Sequence, residues 1–177
     1  MNISRRSLVL GGLATISYGL FDKVGHATAR AENANETESE RCFRLYPVGE
    51  VERRGGPTSL QIYESYRDAL KGLDGFSHVL VLYWFDRNDT PGKRKILQVH
   101  PRGNRNNPLT GVFACRAPVR PNLIALNLCK ILSIKNNIIA VDKIDAFDGS
   151  PILDIKPYIP SIDNERNGIL VPDWLKE

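Results

Sequence analysis

Ser77-His78-Val79-Leu80-Val81-Leu82-Tyr83-Trp84-Phe85 ends in seven consecutive apolar residues with no glycine or proline among them. A short, unbroken apolar run of this kind reads as a strand, and its lack of alternation predicts burial on both faces. Upstream, residues 43–51 alternate roughly with period two and Arg53-Arg54-Gly55-Gly56-Pro57 supplies turn residues. Residues 59–63 then alternate again, which predicts a hairpin. Tyr66, Ala69, Leu70 and Leu73 fall at helical spacing, with Gly72 and Asp74-Gly75 as stop signals, so one short helix is expected over 66–73. Downstream come a polar loop (86–95), a short strand (96–99) and a loop (101–108) holding two arginines and three asparagines. Further strands are expected over 111–115, 123–132, 138–141 and 152–158, with Asn136-Asn137 where a tight hairpin turn should fall. About seven short strands and one helix imply an all-β, mainly antiparallel barrel or sandwich rather than a βαβ array.

Composition agrees with that class. The 177 residues are 42% hydrophobic and 25% charged, as in one folded domain of ordinary size. Eleven prolines and fourteen glycines interrupt the chain too often for long helices, and three cysteines exclude a disulfide-dense scaffold. Residues 1–31 read as an address: Arg5-Arg6 is a twin-arginine pair, Leu8 to Phe21 is uncharged and mostly apolar, and Ala29-Arg30-Ala31 is a small-x-small cleavage pattern. The apolar run falls short of the roughly 20 residues of a membrane-spanning helix, so no stable membrane span is expected. An uncleaved N-terminal tether is the competing reading. Residues 32–41 read as a flexible leader, 42–163 as the barrel domain and 164–177 as a C-terminal tail whose Ile169 to Leu175 could dock on it.

Removing residues 1–31 takes away four of the 24 basic residues and one of the 20 acids, leaving 20 against 19. The basic balance of the whole chain is then no argument for nucleic-acid binding. Distribution says more, because eight Lys or Arg lie between Arg87 and Arg120 against the single acid Asp89, while Asp142 onward holds eight acids and four bases. Charge alone favours ordinary solvated loops there.

Phosphate-loop, dinucleotide-fold and zincin motifs are absent, and neither His78 nor His100 has a second His or Cys at metal-ligand spacing, so no metal is expected. His78 reads as structural. His100, beside Pro101-Arg102-Gly103, is either functional or a loop cap. Cys42, Cys115 and Cys129 form no C-x-x-C, and any pair could close in an oxidising compartment. Beside Arg116, Cys115 is a conceivable nucleophile, but no base lies near it in sequence and a packed small residue is the stronger reading. No catalytic residue is assigned.

Three ordered segments go further. Leu73-Asp74-Gly75-Phe76-Ser77-His78-Val79, then His100-Pro101-Arg102-Gly103 through Gly111-Val112-Phe113-Ala114-Cys115-Arg116-Ala117-Pro118-Val119-Arg120-Pro121-Asn122, then residues 145–158 beginning Asp145-Ala146-Phe147-Asp148-Gly149-Ser150-Pro151 resemble the TsaA-like family, whose characterised branch is TrmO. The resemblance spans about Val48 to Asp163. It implies a small antiparallel β-barrel, usually a homodimer, that binds S-adenosyl-L-methionine and methylates N6 of threonylcarbamoyl-adenosine at position 37 of tRNA. Carried over residue by residue, it implies cofactor-binding roles for Asp86 and Arg87 after the long strand, and for Arg116, Arg120, Asn122 and Leu126. The same role falls to the adenosine-side run Asp145, Ala146, Phe147 and Asp148. Charge chemistry fits in outline, since guanidinium suits the cofactor carboxylate and a carboxylate suits ribose hydroxyls or a cationic group. On spacing alone, Arg116 and Asp148 could instead be an ion pair tying adjacent loops. Lys93, Arg94, Lys95, Arg102 and Arg105 are the candidate tRNA-binding residues. Departures are clear: the early P-R-Q motif has no counterpart at residues 53–58, and Cys115, Ala117 and Leu123 replace Thr, Ser and Pro.

Two functions follow. One is the family's tRNA methylation. Its rival, suggested by the twin-arginine segment, is a repurposed barrel exported by the Tat translocation machinery that binds a nucleoside-like or other small ligand without methyl transfer. Localisation is periplasmic or otherwise extracytoplasmic if the address is used, and cytoplasmic if it is not.

Overall fold

A computed structural model describes residues 42–53, 55–165 and 167–175. The expected address over 1–31 and the leader over 32–41 lie outside the described residues. The chain divides at Phe43, and all that follows concerns the unit Arg44–Glu177.

Six antiparallel strands close into a barrel: β1 (Gly49–Glu52), β2 (Ser59–Ile62), β3 (His78–Trp84), β6 (Ile124–Lys135), β7 (Ile138–Val141) and β8 (Pro151–Pro157), in the order β1-β2-β7-β6-β3-β8 with β8 returning to β1. The remaining pair, β4 (Gln98–Val99) and β5 (Thr110–Gly111), forms a separate ribbon. Closure pairs every strand of the barrel on both sides, which removes the exposed edges that invite aggregation.

The predicted hairpin is β1–β2, with Val51 opposite Leu60. Gly49 is buried there, and a Cβ at that position would overlap the main chain of Gln61. The Asn136-Asn137 turn joins β6 to β7, with Asn136 at φ 54°, a left-handed conformation that asparagine tolerates better than most residues. Asn137 also fastens the turn to β2, its carbonyl accepting from the Ile62 N–H at 2.9 Å.

Burial on both faces of the long strand is corrected by the structure. Along β3, Val79, Val81 and Tyr83 are buried and Leu80, Leu82 and Trp84 only half so. An antiparallel barrel has a single interior, and period two sends alternate side chains outward. The outward ones stay apolar because they continue across to β6, where Leu80 faces Leu128, Leu82 faces Leu126 and Trp84 faces Ile124. Inward, Val79, Val81, Leu60, Ile139, Val141 and Ile152 form the core, each contributing roughly 1.5–3 kcal/mol by burial.

Other expectations shift. The helix is a 3-10 segment at Glu64–Leu70, because no side chain caps its start and Gly72, at φ 83°, turns the chain away before an α-helix is established. The strand expected over 111–115 shrinks to β5, followed by a 3-10 turn at Val112–Ala114. Short α turns at Pro91–Arg94 and Pro160–Asp163 were not expected. Among the described residues no helix is long and apolar enough to cross a membrane.

Candidate functional site

Between Leu82 and Tyr83 the β3–β8 register slips, leaving Leu153 as the extra residue of a bulge. Bulges re-aim the side chains beside them. Here the affected residue is Tyr83, 2% exposed, whose hydroxyl donates to the main-chain carbonyl of Asp145. Burial first, then the charges of Asp145 and Cys129, pushes the Tyr83 phenol up to about 12, so it stays a proton donor at neutral pH. The Asp145 N–H donates to Asn127 Oδ1 at 3.3 Å. Both main-chain groups of Asp145 are thereby fixed, and no described residue hydrogen-bonds its carboxylate.

Two cavities flank this residue. One, of about 370 Å³, is lined by Asp86, Arg87, Asp145, Ala146 and Phe147, with Lys93 at its wall. Its neighbour, of about 670 Å³, is lined by Arg116, Arg120, Asn122, Leu126 and again Asp145. Tyr83 and Phe85 belong to both. Nine of the ten expected cofactor residues therefore line these two adjoining cavities, although the chain separates them by as many as 61 positions.

Asp148 is the exception. It lies in a different cleft with Glu50, Glu52 and Gln61, and its Oδ1 accepts from the Arg53 N–H at 3.0 Å. The loop-tying ion pair with Arg116 is not formed. Gly149, at φ 80°, turns the chain just after Asp148.

Several of the gathered side chains are already engaged. Arg87 lies over the Phe147 ring at 3.8 Å, a cation–π contact that shapes one wall. Asp86 accepts from the buried Ser150 hydroxyl at 3.1 Å, and Arg120 donates to the Val112 carbonyl at 3.2 Å. Arg116 is exposed and has no partner among the described residues.

The candidate tRNA residues divide. Arg94 is structural: it pairs with Asp89 at 2.7 Å, donates to the Pro121 carbonyl at 3.0 Å and sits over Trp84 at 5.2 Å. Its hydrogen bond is the main reason the Asp89 carboxyl lies below the usual carboxylate range. Lys93 bonds Asn88 Oδ1 at 2.9 Å and the Arg87 carbonyl at 3.2 Å. Lys95, Arg102 and Arg105 are exposed and have no side-chain partner among the described residues.

His100 is a loop cap, its Nδ1 bonded to the Asn107 carbonyl at 2.8 Å. His78 bonds the Ser77 hydroxyl at 2.8 Å and meets Tyr158 edge-on. Cys115 and Cys129 are free thiols, and burial, helped by Asp142, pushes the Cys129 thiol up to about 11.

Sequence reasoning missed Tyr83, Phe85 and Asn127, which looked like ordinary strand residues. It also missed Arg53, whose guanidinium donates to the Ala146 carbonyl at 2.7 Å and so braces residues 145–148 from the turn where the P-R-Q motif is absent. Its signal was available: an arginine at the turn otherwise lacking that motif.

Residues 47–164 match the model of the tRNA-methyltransferase O N-terminal domain. A probable S-adenosyl-L-methionine-binding protein of Methanocaldococcus jannaschii is 47% identical over 121 residues, covering 68% of this chain and 96% of that protein. The human tRNA (adenine(37)-N6)-methyltransferase is 39% identical over 107 residues, 60% of this chain but 24% of that longer protein. The crystal structure of TrmO from Pseudomonas aeruginosa superposes with a TM-score of 0.55 at 26% identity, over 72% of this chain and 62% of that one. This chain thus spans less than two thirds of the solved relative.

Proposed function

The chain belongs to the family of the tRNA-methyltransferase O N-terminal domain, and from that premise we propose that it binds S-adenosyl-L-methionine and methylates N6 of threonylcarbamoyl-adenosine 37 in tRNA. The carrying observation is the meeting of nine expected cofactor residues around Tyr83 and Asp145.

The donor set suits the cofactor. Unpartnered Arg116 matches its carboxylate, the Asp145 carboxylate matches an ammonium or ribose diol, and Phe147 and Leu126 offer apolar surface to a purine. When bound, the sulfonium supplies a methyl group already activated for transfer, so the chain needs no nucleophile of its own. The protein's task is then orientation: Tyr83 and Asn127 hold Asp145, Arg53 holds Ala146, and Arg87 holds Phe147. Exposed Lys95 suits the phosphate backbone of tRNA.

The outward apolar ladder of β3 and β6 suits a second copy. Leu126, Leu128 and Leu132 are 44%, 43% and 54% exposed, and an apolar stripe of this size suits a partner better than water. Leu126, Leu128 and Ile124 also line the 670 Å³ cavity, so the homodimer we propose would border the cofactor site. Sedimentation tests it, with Leu128→Glu expected to give monomers.

Calorimetric titration with S-adenosylmethionine and S-adenosylhomocysteine is the decisive experiment, followed by methyl transfer to unmethylated tRNA. Micromolar binding lost in Arg116→Ala supports the reading; a folded protein that binds neither sinks it.

One observation favours a second reading. The twin Arg5-Arg6 pair before an apolar run suits Tat export, and an exported barrel would meet neither tRNA nor cytoplasmic cofactor. Cell fractionation separates the two: periplasmic protein supports the repurposed binding barrel, cytoplasmic protein the methyltransferase.

A further inference from the structure

Arg116 reaches the 670 Å³ cavity from a segment with little to hold it. Buried Val112 and Leu123 fix its two ends, and none of the residues between them, 113–122, is buried. Among the described residues, the only hydrogen bond that reaches 113–122 from outside 111–124 is that of Arg94 to the Pro121 carbonyl, at the segment's far end. An irregular segment with so few buried contacts opens at low cost. A ligand that needs Arg116 in one position must then meet the cost of ordering it.

A third cavity, of about 880 Å³, lies against the same segment. It shares Phe113, Cys115 and Arg116 with the 670 Å³ cavity and continues along residues 117–119. Arg102 and Arg105 line it as well, and from the C-terminal tail so do Trp174 and Leu175. Trp174 differs from the rest of that tail. Leu170 is 95% exposed, and of the described residues over 164–175 Trp174 alone is half-buried. A short 3-10 turn, Asp173–Leu175, presents it, with the Leu175 N–H donating to the Pro172 carbonyl at 3.0 Å. The tail therefore docks through one ring and not along its length.

We propose that Trp174 is a positioning residue: the C-terminal tail is a brace whose docked ring restrains residues 113–119 and through them sets Arg116 in the cofactor cavity. Its role toward a cofactor rests on the methyl-transfer reading, whereas the bracing itself does not. Tryptophan suits the task because one rigid side chain carries a large apolar surface, and Ala117, Pro118 and Val119 offer apolar surface to it. Cys115 is a reporter already in place. Its thiol is half-buried on the wall common to both cavities and donates to the Gly111 carbonyl at 3.7 Å.

The test uses the full chain carrying Cys42→Ser, so that a thiol reagent reads Cys115 while Cys129 stays buried. Without any cofactor, Trp174→Ala should speed modification of Cys115 by an aromatic disulfide about fivefold or more, with the melting temperature unchanged, because segment opening limits the reaction. Trp174→Phe keeps a ring and should restore most of the protection. Titration with S-adenosylmethionine reads the consequence: Trp174→Ala should weaken binding about fivefold, and should cost nothing more when added to Arg116→Ala. Labelling of Cys115 unmoved by Trp174→Ala would overturn the brace, and losses that add to those of Arg116→Ala would overturn its action through that residue. An unsubstituted chain that binds no S-adenosylmethionine would remove the methyl-transfer reading, and the labelling would still decide whether the tail holds the segment.

Discussion

The arginines of the basic middle stretch fall into two regions with opposite fates. On the barrel side, Arg94 and Arg120, joined by Arg53 from the first hairpin, spend their donors on the carbonyls of Pro121, Val112 and Ala146. On the cavity side, Arg102, Arg105 and Arg116 spend none on any described residue. A guanidinium bonded to a carbonyl fixes a loop, and one left unbonded beside a cavity is available to an incoming anion. The same residue type, in one run of the chain, therefore builds the site in one place and offers it in the other.

That contrast breaks most sharply at Arg116. Arg116→Ala should raise the dissociation constant for S-adenosylmethionine roughly ten- to hundredfold, the worth of a charged hydrogen bond, with thermal stability unchanged. Calorimetry and a melting curve read the two arms, and a fall in stability with unchanged affinity would put Arg116 among the builders. Arg94→Ala should do the reverse. It loses a partly exposed ion pair and a carbonyl bond, about 1–2 kcal/mol of stability by denaturant titration, while affinity for S-adenosylmethionine should stay unchanged.

Tyr83 stands on the border between the regions. An unfolded tyrosine loses its proton near 10.0 and the buried one only near about 12, so between these values the unfolded state binds fewer protons. Stability must therefore fall as pH rises through that window. Tyr83→Phe should flatten this dependence, leaving the part due to Cys129, and also loosen Asp145; pH-dependent chemical denaturation checks it.

Smaller effects refine the comparison. Arg53→Ala should weaken S-adenosylmethionine about two- to fivefold, because it frees the Ala146 carbonyl without touching the cofactor directly. Lys95→Glu should leave cofactor binding alone and reduce the salt dependence of tRNA association by about one counterion, read from affinities at several salt concentrations.

Much of the barrel was legible because local chemistry announces it: alternation in the first hairpin, the long apolar strand, and the Asn136-Asn137 turn. What escaped depends on partners distant in sequence. Whether Arg94 or Arg116 is engaged turns on the Pro121 carbonyl and Asp89 lying within reach, and a backbone carbonyl carries no sequence label. Asp145 and Asp148 are near neighbours in one loop, yet one lines the two cavities beside Tyr83 and the other accepts from the Arg53 amide. The bulge at Leu153 likewise arises from pairing between strands and leaves no mark in the residues themselves.

Closure of the barrel carries a consequence for how the chain reaches this state. Gly49 pairs with Ile152, so the last seam joins segments roughly a hundred residues apart, and the entropy of that loop must be met before the seam contributes anything. Folding should accordingly be slow for a domain of this size, in the millisecond-to-second range of non-local β topologies. On the ribosome, the first hairpin must wait, its outer edge unpaired, until β8 has been synthesised.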